Sequence, residues 1–404
     1  MSLFLDRGAL GPSFLVDAGR LQPATTAPAG AQRLDCAWDA RVTLRPGAVN
    51  AHTHLYSGLA PLGLPAPKAP PQNFVQILER IWWKLDRALD AELLRASARF
   101  ALAEAALAGT TTLLDHHESP HFIDASLDVL ADAAEEIGLR LAVTYGATGR
   151  NFGRDEEKRG LSECARFVTS NRRANVKGLV GLHASFTVSD ECVREAGALA
   201  KELGVAVHVH VAEDGADVED AKRRGYAGPL ERLLDLGALP KGSLVAHGVH
   251  LTPAQVKRAD EAGLWFLQNP RSNEGNKVGY PSALAASGHV ALGTDGWPAE
   301  MDVEAQALFR LGRAHGDSDS ALEARTRAGW QLASQVFGAK LGVVEAGFDA
   351  DLVVGLPGER PRHVVVAGRP VVVDGRLVTA DVEEVRARAR EAAPRLWKRM
   401  ESFS

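Results

Sequence analysis

From Pro46 to Gly338, short apolar runs alternate with amphipathic stretches over and over. The runs are Ala48–His52, Thr111–His116, Arg140–Tyr145, Gly178–His183, Ala206–Val211, Ser243–His247, Leu264–Gln268 and Val290–Gly293. Their length and β-branched content suit strands buried on both faces. Between them the pattern predicts helices over Ala91–Ala108, Ile123–Ile137, Asp155–Ser170, Ser189–Leu203, Pro229–Leu236, Pro253–Ala262 and Tyr280–Ser287, with a last stretch from Val303 to about Gly338. Eight βα units in about 290 residues is the arithmetic of a (β/α)8 barrel. An open doubly wound sheet shares the alternation. No Gly-x-Gly-x-x-Gly follows the first run, however, which weakens a dinucleotide-binding reading. The expected class is therefore α/β, a TIM-like (β/α)8 barrel.

The flanks are of another kind. Before Pro46 the chain is rich in Gly, Pro and Ala, with short strand candidates at Ser13–Val16 and Arg41–Leu44. After residue 340 the pattern turns to β, at Ala350–Gly355, His363–Ala367, Pro370–Val373 and Arg376–Thr379. A charged helix, Val382–Met400, ends the chain. The expected division is 1–45 and 341–404 for a small β domain with a terminal helix, and 46–340 for the barrel.

Charge narrows the function classes. With 46 Lys+Arg against 51 Asp+Glu the net charge is −5, which argues against a nucleic-acid binder. Cys36, Cys164 and Cys192 are far apart, so neither a disulfide framework nor a thiolate zinc site is expected. The N-terminus has no basic segment leading into an apolar one, and no apolar run is long enough to span a membrane. The expectation is a cytoplasmic protein without membrane or nucleic-acid partners.

The chemistry-bearing residues fall at the C-terminal ends of the predicted strands, the face where barrel enzymes place their sites. The first strand ends in His52-Thr53-His54, two imidazoles on one side of an extended chain. The fifth ends His208-Val209-His210-Val211-Ala212-Glu213. His208 and His210 share a face, and His210 lies nearer the mouth and nearer Glu213. The sixth strand ends at His247 and the eighth at Asp295. Each alone has a plain structural explanation, such as a polar strand end or a helix cap. Together they bring imidazoles and a carboxylate to one mouth. That set suits zinc or another first-row divalent ion, with Glu213 and His247 left for acid–base work.

These motifs resemble the amidohydrolase superfamily, in its aminohydrolase/chlorohydrolase branch, over nearly the whole chain. The carrying segments are Pro46–His54, Gly109–Thr112, His210–Glu213, Ala246–Gly248, Asn269–Asn273 and Leu292–Gly296. Ile81–Asp86 and Leu114–Pro120 resemble aminohydrolases of selenium-metabolism gene clusters. The resemblance implies a small β-sandwich built from both chain ends, with Gly347–Val354 in its returning strand. It implies His52, His54, His210 and Asp295 as metal ligands, and Glu213 and His247 as the catalytic pair with Asp295. A bridging carboxylated lysine is absent from the fourth strand, so one divalent ion per chain is expected, zinc first, with iron or manganese as substitutes.

The reaction implied is release of ammonia from an amino-substituted heterocycle of purine, pyrimidine, pterin or triazine type. The ion lowers the pKa of a bound water from about 15.7 to about 7, and the resulting hydroxide attacks the ring carbon. Asp295 takes the water's proton, Glu213 protonates the ring nitrogen and His247 steadies the developing oxygen charge. The alternatives are hydrolysis of an amidine, a cyclic amide or a chloro-heterocycle, and a catalytically silent barrel. His183, Trp82, Trp83, Arg150 and Asn273 are expected to contact substrate. His116, His117 and His121 are too loosely spaced to read as a second metal cluster. A homodimer is implied by resemblance alone.

Overall fold

The computed structural model describes residues 2–403. Eight parallel strands form the barrel: Ala48–Thr53, Thr110–His117, Arg140–Ala147, a fourth broken into Val176–Gly178 and Val180–Ala184, Val207–Val211, Leu244–His247, Trp265–Gln268 and Val290–Leu292. Each pairs with its sequence neighbour, in the order expected when every crossover is a right-handed βα unit. The seam between the eighth and first strands is closed differently. Thr53 bridges Asp295, and the side chain of Asn50 donates to Thr294 Oγ1 at 2.7 Å and accepts from the Thr294 N–H at 3.1 Å.

The seam is tight because Gly293 has no side chain. A Cβ there would stand 2.7 Å from His52 Cβ and 2.5 Å from Asn269 Oδ1. Sequence position thus bears directly on site geometry: the glycine lets the last strand press against the strand that carries His52.

The chain ends form two facing sheets. Leu3–Asp6, Phe14–Asp17, Arg20–Pro23 and Gln32–Asp35 make one. The other joins Thr43–Pro46, antiparallel, to Leu352–Gly355, then His363–Val366, Arg369–Val373 and Arg376–Leu377. Leu5, Phe14, Leu21 and Leu34 from one end bury against Leu352, Val354 and Val365 from the other. The N-terminal strands at residues 3–6, 20–23 and 32–35 escape the sequence reading because each is only four residues long, and the second and third are mostly polar. A buried, two-pronged ion pair from Arg140 to Asp351 (2.8 and 3.0 Å) ties these sheets to the base of the third barrel strand.

Two helical expectations change. The stretch after the eighth strand is two helices, Met301–Ala314 and Asp319–Phe337. Gly316, at φ +87°, breaks it, and Ser318 caps the second helix by accepting the Ala321 N–H. Tyr280–Ser287 shortens to a single tight turn, Ser282–Ala286, after Pro281. The terminal helix, Val382–Met400, lies on Ala91–Leu107 through ion pairs such as Arg386–Glu104 and Arg99–Glu384.

Candidate metal centre and active site

Three strand ends turn sharply at the rim. Ala212, His247 and Asp295 have φ of +52°, +71° and +55°, left-handed values that cost a non-glycine residue energy and cluster at functional sites. At the fifth strand the turn has a visible cause. The strand stops at Val211, and the Ala212 N–H donates to the buried Asp217 carboxylate at 2.7 Å. Strand alternation is broken there, so His210 and Glu213 both line the mouth.

His52, His54, His210 and Asp295 form one group whose ligand-type atoms all lie within 4.8 Å of one another. His54 Nε2 is 2.9 Å from Asp295 Oδ1, and His52 Nε2 is 3.6 Å from the same oxygen. The protons of this group are set by backbone. His54 Nδ1 donates to the His116 carbonyl at 2.5 Å, and His210 Nδ1 donates to the His183 carbonyl at 2.6 Å. A carbonyl can only accept, so in each neutral ring the lone pair is on Nε2. Those two Nε2 atoms face each other at 3.3 Å. His52 Nε2 is buried with no hydrogen-bond partner, while its Nδ1 meets His208 Nε2 at 2.9 Å. Lone pairs converging on one point beside a carboxylate fit a cation, and three nitrogens with one oxygen are donors suited to zinc. The geometry also explains His208, which sits one layer deeper and orients His52.

Burial sets the charges. It lowers His52 to about 3 and holds His208 and His210 far below the usual imidazole range, so these rings are neutral. His54 differs: burial opposes its charging, but the facing Asp295 carboxylate outweighs it and raises the ring to about 10. Without an ion, a proton on His54 satisfies Asp295. Burial also works against an ionised Asp295, yet His52 and His54 hold its carboxyl well below the ordinary range. Ser272 donates a short hydrogen bond to Asp295 Oδ2.

Glu213 and His247 adjoin this group. Glu213 Oε2 is 3.5 Å from His247 Nε2, and both have ligand-type atoms within 4.8 Å of one on Asp295. Burial, then the charge of Asp295, pushes the Glu213 carboxyl well above its usual value. Burial keeps His247 neutral. Its Nδ1 donates to Asn273 Oδ1 at 2.9 Å, which leaves Nε2 as a bare acceptor.

Above the group opens a cavity of 540 Å³, lined by His54, Tyr56, Phe74, Trp82, Trp83, Glu118, His183, His210, Glu213 and Asp295 among others. Its roof comes from the segment after the first strand, which is helical from Phe74 to Ala88 with a π turn at Leu78–Trp82. Trp82, Trp83 and His183 stand on the wall. Arg150 and Asn273 stand one layer behind it. Arg150 pairs with Asp86 at 2.7 Å and lies over the Trp83 ring, and Asn273 holds His247. His116, His117 and His121 do not converge: His117 bonds Ser119, and His121 packs against Phe152 and Phe403. The sequence reading gave no role to Glu118, Asp86, Asp217 or Ser272. Only Glu118 carried a signal, as an acid just past the end of a barrel strand.

Comparison with known proteins adds a family. Residues 43–371 match the profile of the amidohydrolase family. A 5'-deoxyadenosine deaminase of Methanopyrus kandleri is 32% identical over 339 residues, covering 79% of this chain and 74% of that protein. A 5-methylthioadenosine/S-adenosylhomocysteine deaminase of Halobacterium salinarum is 30% identical over 353 residues, covering 84% and 78%. In fold, the chain superposes on an adenosine deaminase from Xanthomonas campestris with bound zinc, at a TM-score of 0.80 and 22% identity over 97% of each chain.

Proposed function

This chain belongs to the amidohydrolase family, and we propose that it is a metal-dependent deaminase that releases ammonia from an aminopurine or a related amino-substituted heterocycle. The observation that carries the reading is the buried group His52, His54, His210 and Asp295 with Glu213 and His247 beside it, under an aromatic-walled cavity. The two deaminase relatives support the choice of leaving group and of a purine ring.

His52, His54, His210 and Asp295 hold the ion, taken to be one zinc per chain. When bound, the ion supplies Lewis acidity that makes water nucleophilic near neutral pH. The chain's own residues do the rest. Asp295 and the bare Nε2 of His247 are two acceptors for the hydrogens of the attacking water, and they aim its lone pair at the ring carbon. Asp295 takes the proton as the carbon–oxygen bond forms. Glu213, kept protonated by burial, gives its proton to the neighbouring ring nitrogen. Proton return to the amino group breaks the carbon–nitrogen bond, and ammonia leaves. With the Asn273 carbonyl oxygen facing its Nδ1, His247 enters as an acceptor that orients water. Trp82 and Trp83 offer apolar faces for a planar ring.

The same proposal places the site in a barrel over 46–340, covered at 1–45 and 341–404 by the β domain. It places the enzyme in the cytoplasm as a homodimer acting on a small molecule. No described helix is long and apolar enough to cross a membrane. Ammonia release by zinc-loaded protein against nucleobases, nucleosides, pterins and aminotriazines tests the function. Release from none of them, with zinc bound, would overturn it.

A further inference from the structure

We propose that Glu118 is a substrate-recognition residue, whose free carboxylate oxygen accepts a hydrogen bond from an N–H or O–H donor on the non-reacting part of the substrate. The inference deepens the deaminase reading and rests on it for the nature of the ring. Glu118 follows the second barrel strand, whereas Glu213, His247 and Asp295 stand at the ends of the fifth, sixth and eighth. It therefore faces a bound ring from another arc of the mouth.

The side chain is 2% exposed yet lines the cavity. Its Oε1 is occupied by His116 Nδ1 at 2.7 Å. His116 Nε2 faces the Leu182 carbonyl at 3.1 Å, so both ring nitrogens of His116 meet acceptors within the protein and neither is left for a ligand. Oε2 is buried and has no hydrogen-bond partner. The imidazole within ion-pair distance of it, His54 Nδ1 at 3.6 Å, already gives its proton to the His116 carbonyl, while His183 and His210 offer ring nitrogens within 4.8 Å of a Glu118 oxygen. A buried carboxylate oxygen left unpaired is costly, and such an atom on a cavity wall is completed by a ligand.

A second cation is not that ligand. Glu118 does group with His54 and His116, and with His183 and His210. But the Nδ1 atoms of His54 and His210 both donate to carbonyls, and their Nε2 lone pairs face each other in the first metal group, so neither ring has a lone pair to spare for a second ion. The fold makes room for the carboxylate on purpose: a Cβ on Gly146 would stand 2.7 Å from Glu118 Oε1 and 2.5 Å from His116 Cε1. Substrates that bring a second amino group, a ring N–H or a sugar hydroxyl to Glu118 are the class selected.

The test uses zinc-loaded protein carrying Glu213→Gln, which slows turnover by about 10²–10⁴-fold, so that binding is read ahead of reaction by quenching of tryptophan fluorescence. Two matched pairs are titrated: 2,6-diaminopurine against adenine, and adenosine against 3'-deoxyadenosine. In at least one pair the donor-rich member should bind about 10- to 100-fold more tightly. Adding Glu118→Ala should abolish that preference while zinc content and binding of the poorer member hold. The pair that responds tells an amino donor from a hydroxyl. No preference in either pair, or a preference that survives Glu118→Ala, overturns the proposal. Equal weakening of both members with loss of zinc also overturns it and makes Glu118 a brace for His116. If Glu118→Ala does not fold, Glu118→Gln retains an acceptor without the charge, and the preference should drop about 3- to 10-fold; an unchanged preference again overturns it. Because the readout is binding, a donor preference without ammonia release from any compound would count against deamination and not against Glu118.

Discussion

Asp217 holds the N–H of Ala212 at 2.7 Å, and this one bond fixes the left-handed turn that brings Glu213 to the mouth. Asp217 follows His210 by seven residues and is not itself one of the candidate ligands. It acts on chemistry only through where Glu213 stands. Replacing it with alanine should leave zinc content intact and lower kcat by roughly 10- to 100-fold, the cost of about 1 Å of misplacement. Metal analysis beside steady-state kinetics checks this; an unchanged kcat would refute the link.

The same carboxylate gives stability a pH dependence. Burial raises Asp217 from 3.8 to about 7. The folded chain then binds this proton more tightly than the unfolded chain. Its contribution is full below about pH 3.8 and is lost as pH rises towards 7, amounting to at most about 4 kcal/mol. Asp217→Asn removes the titration. The difference in urea midpoint between wild type and variant should shift in the variant's favour between pH 5 and pH 7.5.

Glu213→Gln keeps the shape of the acid and removes its proton. Turnover should fall by about 10²–10⁴-fold, with zinc retained, since none of the four proposed ligands is touched. His210→Ala should lose zinc as well as activity. A Glu213→Gln protein that folds but no longer holds zinc would mean that Glu213 is itself a ligand.

Metal stoichiometry and its pH dependence follow from the protons in the cluster. The fourth strand offers no lysine to bridge a second ion: Lys177 lies on its first segment, Val176–Gly178, at the far end from the mouth. One tightly held equivalent is expected by elemental analysis. In the apo protein an ion must displace the proton that Asp295 holds on His54, whose pKa is about 10. Apparent zinc affinity should therefore rise about 10-fold per pH unit between pH 6 and 8. Isothermal titration in a series of buffers would show about one proton released per zinc.

Gly293→Ala tests the seam. The new methyl would press on His52 Cβ and on Asn269 Oδ1 at distances no pair of atoms tolerates. The first and eighth strands must separate, so His52 and Asp295 part. Stability should fall by about 1–3 kcal/mol, as for other overpacked sites, and zinc binding should weaken with it.

The amino-acid sequence on its own determined the barrel, because eight apolar runs at βα spacing have few other ways to bury themselves. It also determined which strand ends carry His52, His54, His210, Glu213, His247 and Asp295, since strand period and strand polarity follow from local pattern. What it left open needed three dimensions. Order along the strand already favours His210 over His208; what three dimensions add is that one faces the mouth and the other supports His52 from below. The protons follow from carbonyls 27 and 62 residues away in the chain, which no local pattern encodes. Arg150 and Asn273 have the chemistry of substrate contacts, and only packing placed them behind Asp86, Trp83 and His247. Glu118 is one more acid at a strand end until burial and the committed partners around it leave a single oxygen unpaired. Residue type sets what a group can do, while its neighbours in space set which proton, lone pair or charge is left for a ligand.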